Sequence, residues 1–242
     1  MKLLALALIP LVATGALAAE RDRGPGITGQ RQGNALVYAA RDFDSVSVAG
    51  APRMIVHTGS SFAVSAEGPT EAFGNFRVVV EGRTLKVGQR YEGRRSTAAD
   101  ARLVVHVTMP ALTAASVGGS GSIDADRAAG SRFAGSVGGS GMLRIAQLDA
   151  QAADLSVGGS GEIRAAGTVG MLKASIGGSG DIDAPALRVA RADVSIGGSG
   201  SIRTAVSGDA RVSLAGSGSV DLGPKARCRV SKVGSGKVQC GG

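Results

Sequence analysis

The stretch Ser175-Ile-Gly-Gly-Ser-Gly-Asp-Ile182 is one of seven similar copies in the C-terminal half of this 242-residue chain. The remaining copies begin at Ser116, Ser136, Ser156, Ser195, Ser213 and Ser231. Successive leading serines are 18 to 20 residues apart. Self-similarity at such a short period is typical of a solenoid, in which each repeat buries its apolar face only against its neighbours. The repeat therefore predicts the architecture directly.

The residues on either side of the leading serine indicate strands. They are mostly aliphatic, as with Ala174 and Ile176, and because they are two residues apart they share one face of a strand. The glycines that follow allow the chain to turn a corner. A period of 18 to 20 residues is too short for a helix-turn-helix repeat, and the β-branched content favours strands. We therefore predict an all-β fold, a parallel β-helix with one repeat per coil.

Charged residues on the opposite strand face support stacking in register. Two residues before each leading serine, the column reads Ala114, Ala134, Asp154, Lys173, Asp193, Arg211, Arg229. After each motif, a second column reads Asp124, Arg144, Arg164, Asp183, Arg203, Asp221, Gln239. Opposite charges on adjacent strands are favourable, although each exposed pair contributes little. The near alternation of sign therefore supports direct stacking of the repeats.

The N-terminal half has a different composition. Residues 19–42 are polar and rich in glycine, which predicts a flexible leader. Short strand patterns then follow between residues 43 and 110, and they are longer and more aromatic than the later repeats. We interpret them as the first coils of the same solenoid, an irregular strand-rich cap. The predicted organisation is a single β-helix domain over 43–242, with the seven repeats over 111–242.

The seventh repeat has the features of a C-terminal cap. Lys232 stands where the other copies have an inward aliphatic residue, and an inward lysine opposes pairing at an exposed sheet edge. Cys228 and Cys240 bracket this repeat. In an exported chain such a pair predicts a disulfide, with two free thiols as the alternative. Closing this short loop stabilises the fold by about 3 kcal/mol in the chain-entropy model.

The first residues have the pattern of a signal peptide. Met1-Lys2 precedes an apolar run over residues 3–17, and Ala16-Leu-Ala18 is a small-x-small site, which predicts cleavage between Ala18 and Ala19. The run is shorter than the about 20 residues that a bilayer span requires, and no later stretch is apolar enough. We expect an exported protein without a membrane span in the mature chain. Its location would be the periplasm, the outer surface or the medium.

The net charge of +8 bears on partners. A basic exported protein favours anionic glycans, lipopolysaccharide or another negatively charged surface, although a simply solvated surface is the plainer interpretation. Every aromatic residue lies at or before Phe133, so the later repeats offer no platform for stacking bases. We therefore expect an anionic surface polysaccharide or an envelope protein as partner, and no nucleic acid.

The glycine-rich motif does not match known cofactor sites. A phosphate-binding loop requires a Gly-Lys-Ser/Thr ending, and calcium-binding β-rolls require aspartate where these repeats have an aliphatic residue. We expect neither a cofactor nor a metal. The second serine of each motif lies outside a Gly-x-Ser-x-Gly context, and the repeats contain no histidine. We predict instead a ladder of hydroxyls bonded from coil to coil: Ser120, Ser140, Ser160, Ser179, Ser199, Ser217 and Ser235.

An enzymatic alternative stays open at this point. Parallel β-helices often carry polysaccharide lyases and glycosidases, which depend on clustered carboxylates. Glu162, Asp181 and Asp183 form one acidic cluster if adjacent coils stack in register. The absence of aromatic residues from the later repeats, where a sugar would stack, weighs against this alternative. We therefore expect a protein without enzymatic activity.

The order of the sequence elements resembles a known family. Phe43-Asp-Ser-Val-Ser-Val-Ala-Gly50, Val64-Ser-Ala-Glu-Gly-Pro69 and Val107-Thr-Met-Pro-Ala-Leu112 precede the Gly-Ser-Gly repeats. This order resembles the putative autotransporter adhesin head GIN-domain family of exported bacterial proteins over roughly residues 43–225. The resemblance implies a right-handed β-helix, an adhesive role at the cell envelope and no catalytic residues. A carbohydrate-active enzyme and a structural protein of periplasmic envelope maintenance are the alternatives.

Overall fold

The computed structural model describes residues 24–90 and 97–241. The predicted signal peptide and its Ala18–Ala19 cleavage site lie outside these residues. The described chain is almost entirely strand, with one short helix, α1 (Thr70–Phe73), and a 3-10 turn at Asp100–Arg102. The strands are β1 (Gln30–Gln32), β2 (Ala35–Tyr38), β3 (Ser45–Gly50), β4 (Arg53–Thr58), β5 (Ala63–Glu67), β6 (Phe76–Glu81), β7 (Thr84–Gln89), β8 (Val104–Met109), β9 (Ala114–Gly119), β10 (Ser122–Gly139), β11 (Met142–Gly159), β12 (Glu162–Gly178), β13 (Asp181–Gly198), β14 (Ser201–Val206), β15 (Asp209–Gly216), β16 (Ser219–Asp221), β17 (Arg227–Val233) and β18 (Lys237–Gln239).

The repeats form a parallel β-helix, as predicted. Equivalent residues of successive repeats are hydrogen-bonded neighbours, so that each coil contains 18 to 20 residues. One column of register partners illustrates the stacking: Ser122, Met142, Glu162, Asp181, Ser201, Ser219 and Lys237. Differences in coil length are absorbed by register shifts in the middle of the long strands, for example between Ile145 and Leu148. The two faces that flank the glycine corner therefore keep an unbroken register.

Aliphatic side chains of similar size stack along the interior of the coils. The predicted inward column after the leading serine is buried through six repeats: Val117, Val137, Val157, Ile176, Ile196 and Leu214. A second buried column lies across the corner: Ile123, Leu143, Ile163, Ile182, Ile202 and Val220. Fully burying such a side chain contributes about 1.5–3 kcal/mol. The core is therefore a set of parallel aliphatic ladders that any coil can extend.

The corner between these two columns requires glycine at two of its three glycine positions. The second glycine has a positive φ in every copy, for example +123° at Gly159. A Cβ on the third glycine would clash with the neighbouring coil. At Gly161 it would overlap Val137 Cγ1 and lie 2.6 Å from the carbonyl oxygen of Gly141. The first glycine meets no such obstacle, since a Cβ on Gly158 has no atom within 4 Å. The close approach of one corner to the next explains why the motif recurs.

The predicted ladder of serine hydroxyls is wrong for most copies. The corner serines are exposed, and the backbone amides of the first six make the contact between coils. The amide of Ser160, for example, donates to the carbonyl oxygen of Gly139 over 2.9 Å. Among the described residues, the structure shows a hydroxyl–hydroxyl contact between corner serines only at Ser217 and Ser235, 3.1 Å apart. The corner directs the amide along the stack and the side chain towards solvent.

The N-terminal half contains coils that do not stack in chain order. Strands β3 and β4 form a coil directly beneath the first repeat, with Val48 beside Val117 and Met54 beside Ile123. Strands β7 and β8 then stack in parallel on the other side of that same coil. The coil formed by β3 and β4 is thus inserted between β7–β8 and β9–β10. The interpretation of residues 43–110 as successive coils therefore needs this correction.

Antiparallel strands close the N-terminal end. Strand β6 pairs with β7, β5 pairs with β8, β2 pairs with β5 and β1 pairs with β2. The flexible leader predicted for residues 19–42 is therefore wrong over residues 30–38, which form β1 and β2. Tyr38 is buried against the cap, and its ring lies 6.1 Å from that of Phe76. The short apolar segment of β2 covers a sheet edge that would otherwise be open.

The C-terminal end is closed by side chains rather than by strands. Lys232 takes the register position of Leu214, and its Nζ donates to the carbonyl oxygen of Gly236 over 3.0 Å. The disulfide expected between Cys228 and Cys240 is present and ties β17 to the residues after β18. Val230 takes the register position of the buried Val212, yet it is 48% exposed because no further coil covers this end. The N-terminal end of the solenoid is therefore closed by paired strands, and the C-terminal end by Lys232 and the disulfide.

Candidate functional site

The charged columns lie on the outer faces in the predicted register. Column A consists of the outward residues two positions before each leading serine, and column B of those after each motif, as defined above. In column A, Asp193 lies beside Lys173 and Arg211 on adjacent coils, with Arg211 Nη1 4.0 Å from Asp193 Oδ1. In column B, Arg203 Nη1 lies 3.5 Å from Asp183 Oδ1. These exposed ion pairs stabilise weakly, so the columns are mainly a patterned surface.

The acidic cluster proposed from the sequence is brought together by the fold. Glu162 and Asp181 are register partners on adjacent coils, and Asp183 lies in the neighbouring column. The three carboxylates line an open depression of 220 Å³ together with Ser201 and Asp221. The stacking that the sequence predicts therefore places all three side chains at one surface.

Each carboxylate of this cluster already has a partner. Asp181 accepts hydrogen bonds from the amide of Ser201, over 3.1 Å, and from its hydroxyl. Glu162 accepts from Arg164 Nε, and this hydrogen bond raises the pKa of the Arg164 guanidinium. A general acid requires a carboxyl group held neutral in apolar surroundings, whereas these groups are partly exposed and bonded to polar neighbours. The cluster is therefore suited to joining coils rather than to transferring protons.

A second recess lies across the corner, over the last three coils. Four arginines and two aspartates surround a volume of 590 Å³, with Met171 and Cys228 at its margin. We call this recess the arginine groove, and its charged residues are Arg191, Asp193, Asp209, Arg211, Arg227 and Arg229. It combines column A with the column two residues further towards the N-terminus. The column of Arg191, Asp209 and Arg227 was not among those predicted from the sequence, although the same spacing rule identifies it.

The electrostatics of the groove are dominated by arginine. Arg227 Nε donates to Asp209 Oδ1 over 2.9 Å. This hydrogen bond and the charge of Arg227, together with the more distant charges of Arg229 and Arg191, hold the pKa of the Asp209 carboxyl below its usual value. The aspartate therefore lies in a positive potential that its own charge does not cancel.

The two histidines lie in strands of the N-terminal half. His57, at the end of β4, is exposed, and its Nδ1 lies 3.3 Å from Asp126 Oδ2. The same carboxylate accepts from the backbone amide of Thr58 over 3.0 Å, so Asp126 joins the β4 coil to the first repeat. His106 lies within β8. Among the described residues, no group of three or more His, Cys, Asp or Glu side chains is placed to hold a metal ion.

The sequence matches a known protein family. The model of the family described as "Putative auto-transporter adhesin, head GIN domain" matches residues 42–226. The chain belongs to this family. The match spans both the irregular cap and six of the seven repeats. No curated protein matches the sequence significantly.

Solved structures share the β-helix of this GIN-domain protein. A putative adhesin from Bacteroides fragilis NCTC 9343 superposes with a TM-score of 0.78 at 20% identity, covering 89% of this chain and 100% of its own. A putative adhesin from Parabacteroides merdae ATCC 43184 gives 0.64 at 16% identity, with coverages of 90% and 99%. A putative lipid binding protein from Parabacteroides distasonis ATCC 8503 gives 0.61 at 22% identity, with coverages of 88% and 98%. At these identities the likeness establishes the fold alone.

Membership of an adhesin-head family indicates an exported or surface protein. Within residues 24–90 and 97–241, neither helical segment has the length and hydropathy of a bilayer span.

Proposed function

We propose that this protein is a non-enzymatic, adhesin-like component of the bacterial cell envelope that binds an acidic surface polymer. The observation that carries the proposal is the register of the outward charged columns on a stiff β-helix. Adjacent coils are about 4.8 Å apart, so each column repeats its side chains at that interval along the rod. An extended ligand lying along the rod would meet several of these side chains at once. The basic net charge of +8 favours an anionic ligand.

Two features support binding rather than catalysis. The carboxylates that could serve as acid and base, Glu162, Asp181 and Asp183, are engaged in hydrogen bonds or ion pairs with neighbouring side chains. The family to which the chain belongs is described as an adhesin head. A carbohydrate-active enzyme would require turnover that depends on these carboxylates. Replacing Asp181 and Asp183 by asparagine and assaying a panel of polysaccharides would reveal such turnover.

The proposed function is tested by binding to surfaces of defined chemistry. The disulfide-bonded protein would be applied to whole bacterial cells, to immobilised acidic polysaccharides and to a neutral polysaccharide of similar length. We expect binding to cells and to acidic polymers that weakens as salt is raised from 50 to 500 mM, because exposed charges are screened. The neutral polymer is the control. Equal retention on neutral and acidic surfaces, or none on either and none on cells, would contradict the proposal.

The envelope-maintenance alternative predicts a different result. A structural role of this kind requires no polymer ligand, and deletion of the gene would sensitise the cell to envelope stress. Complementation with a variant that folds but no longer binds polymer separates the two roles, since only a structural role would be rescued.

A further inference from the structure

We propose that the arginine groove is the site that binds the acidic polymer, and that it takes carboxylate or sulfate groups of a polysaccharide. The proposal rests on the proposed function, because it gives that binding activity a location and a chemical class.

The groove has an excess of two positive charges. Arg211 is within 4.0 Å of Asp193, and Arg227 is hydrogen-bonded to Asp209. In the part of the chain that the structure describes, neither Arg191 nor Arg229 has a carboxylate within ion-pair distance. Guanidinium groups bind carboxylate and sulfate oxygens through paired, parallel hydrogen bonds. Two arginines are therefore available to an anionic ligand without breaking an internal ion pair.

Two arginines of the groove also repel each other, and a bound anion would reduce that repulsion. Arg211 and Arg229 are register partners on adjacent coils. From Asp154 to Arg211, the charges of column A alternate in sign at every step, but the last step places two positive charges side by side. Like charges directly opposite each other on adjacent strands destabilise a sheet. An anion bound between them would remove that repulsion, and the lowered pKa of Asp209 is further evidence of the positive potential here.

The placement of the arginines suits a chain that runs along the rod. Arg191 lies on β13, Arg211 on β15, and Arg227 and Arg229 on β17, so positive charges occur on three consecutive coils. An extended sugar residue is about as long as the spacing between coils, about 4.8 Å. A polymer with an acidic group on successive or alternate sugars would therefore place a negative charge near each coil.

The remaining lining excludes recognition through ring stacking. Apart from the charged residues, the groove is formed by Met171, two alanines and Cys228. Sugar rings of neutral polysaccharides are commonly held against aromatic side chains, and this lining contains none. Charge and hydrogen bonding would thus dominate, which predicts strong discrimination between acidic and neutral polysaccharides.

The disulfide holds the groove in shape. Cys228 lies between Arg227 and Arg229 on the terminal strand β17, which has a neighbouring coil on one side only. Without the bond to Cys240, ordering this strand and its two arginines would oppose binding, since immobilising such side chains costs free energy. The disulfide therefore holds the guanidinium groups of Arg227 and Arg229 in position before a ligand binds.

The test compares two double variants of equal charge. R191Q/R229Q removes the two arginines of the groove that lack an ion-pair partner. R127Q/R188Q is the matched control, because both residues are exposed and lie outside the groove and outside both charged columns, and in the described ranges neither has a carboxylate within ion-pair distance. Thermal unfolding and size-exclusion chromatography would establish that both variants fold as the parent does. Affinities would be measured for heparin, polygalacturonate and neutral dextran.

We expect R191Q/R229Q to weaken binding to heparin or polygalacturonate by about tenfold or more, since hydrogen bonds to charged groups are lost. R127Q/R188Q should remain within about twofold of the parent, and dextran should not bind. Equal weakening in both variants would show a nonspecific charge effect and would overturn the groove while leaving the proposed function in place. Parent protein that binds cells but neither heparin nor polygalacturonate would also overturn the groove. Preferential binding to anionic lipid vesicles would overturn both the groove and the acidic polymer as ligand. Absence of binding to cells and to all polymers would overturn the proposed function itself.

Discussion

The cap and the repeats of this protein fill their interiors with different kinds of side chain. In the repeats, the two faces that flank the glycine corner keep their register, so aliphatic side chains of similar size stack there from coil to coil. In the cap, strands of several directions meet, and the irregular space between them is filled by aromatic residues. The rings of Phe43 and Phe62 lie 4.9 Å apart, and those of Phe73 and Phe76 lie 5.9 Å apart. The coils that follow Phe133 stack without any aromatic ring, whereas the irregular N-terminal cap is filled by several.

The largest expected effect comes from removing an aromatic ring of the cap. Phe43→Ala deletes a side chain that is only 2% exposed and should lower the free energy of unfolding by about 3–5 kcal/mol. Ile182→Val, which removes one methyl group from a ladder of the repeats, should cost about 0.5–1.5 kcal/mol. Urea denaturation followed by circular dichroism measures both. Equal losses in the free energy of unfolding would show that Phe43 contributes no more to stability than one methyl group of the repeats.

The second effect concerns the other end of the rod. Replacing Cys228 and Cys240 together by serine should lower the free energy of unfolding by about 3 kcal/mol, because the unfolded chain regains the freedom of the closed loop. A reducing agent should produce the same loss in the parent and none in the variant. Were the variant as stable as the parent, the terminal coil would be held by its hydrogen bonds and by Lys232 alone.

The corner glycines provide a matched pair of substitutions within one repeat. Gly161→Ala would force a Cβ against Val137 and the corner below, and should destabilise by about 1–3 kcal/mol. Gly158→Ala places its Cβ in open space and should stay within about 0.5 kcal/mol of the parent. The sixth repeat, with Ala215 at the position of Gly158, and the first coil, with Ala49, already tolerate this change. Thermal unfolding of the two variants would distinguish a need for glycine from a preference for it.

The smallest effect is confined to alkaline solution and to the cap. Burial raises the pKa of Tyr38 to about 12, above its usual value of 10.0. Because the folded protein holds this proton more tightly than the unfolded chain, the contribution is fully present below pH 10 and is lost as pH rises towards 12. Tyr38→Phe should therefore flatten the decline in stability between these values. Denaturation curves at pH 9, 10 and 11 for both proteins test this, and identical declines would assign the alkaline loss to other groups.

The sequence predictions are mostly accurate in the repeats and less accurate in the cap. Within the repeats, the coil length, the inward column after the leading serine and the charged columns all follow from periodicity. The acidic cluster of Glu162, Asp181 and Asp183 was found for the same reason, since stacking in register places equivalent positions side by side. The serine ladder was wrong because a repeated residue type does not reveal whether its side chain or its amide makes the contact.

The sequence by itself determined the parallel β-helix, because each repeat contacts only its neighbours and local spacing is then sufficient. Tertiary structure alone decided the order of the cap strands, where β3 and β4 lie between segments that follow them in the chain. It also decided that β1 and β2 pair with the cap, and that two columns of arginines converge on one groove at the last three coils. The physical reason is common to these cases. Pairings between nonrepeating strands, and the charge balance of a surface, depend on residues far apart in the chain, about which periodicity carries no information.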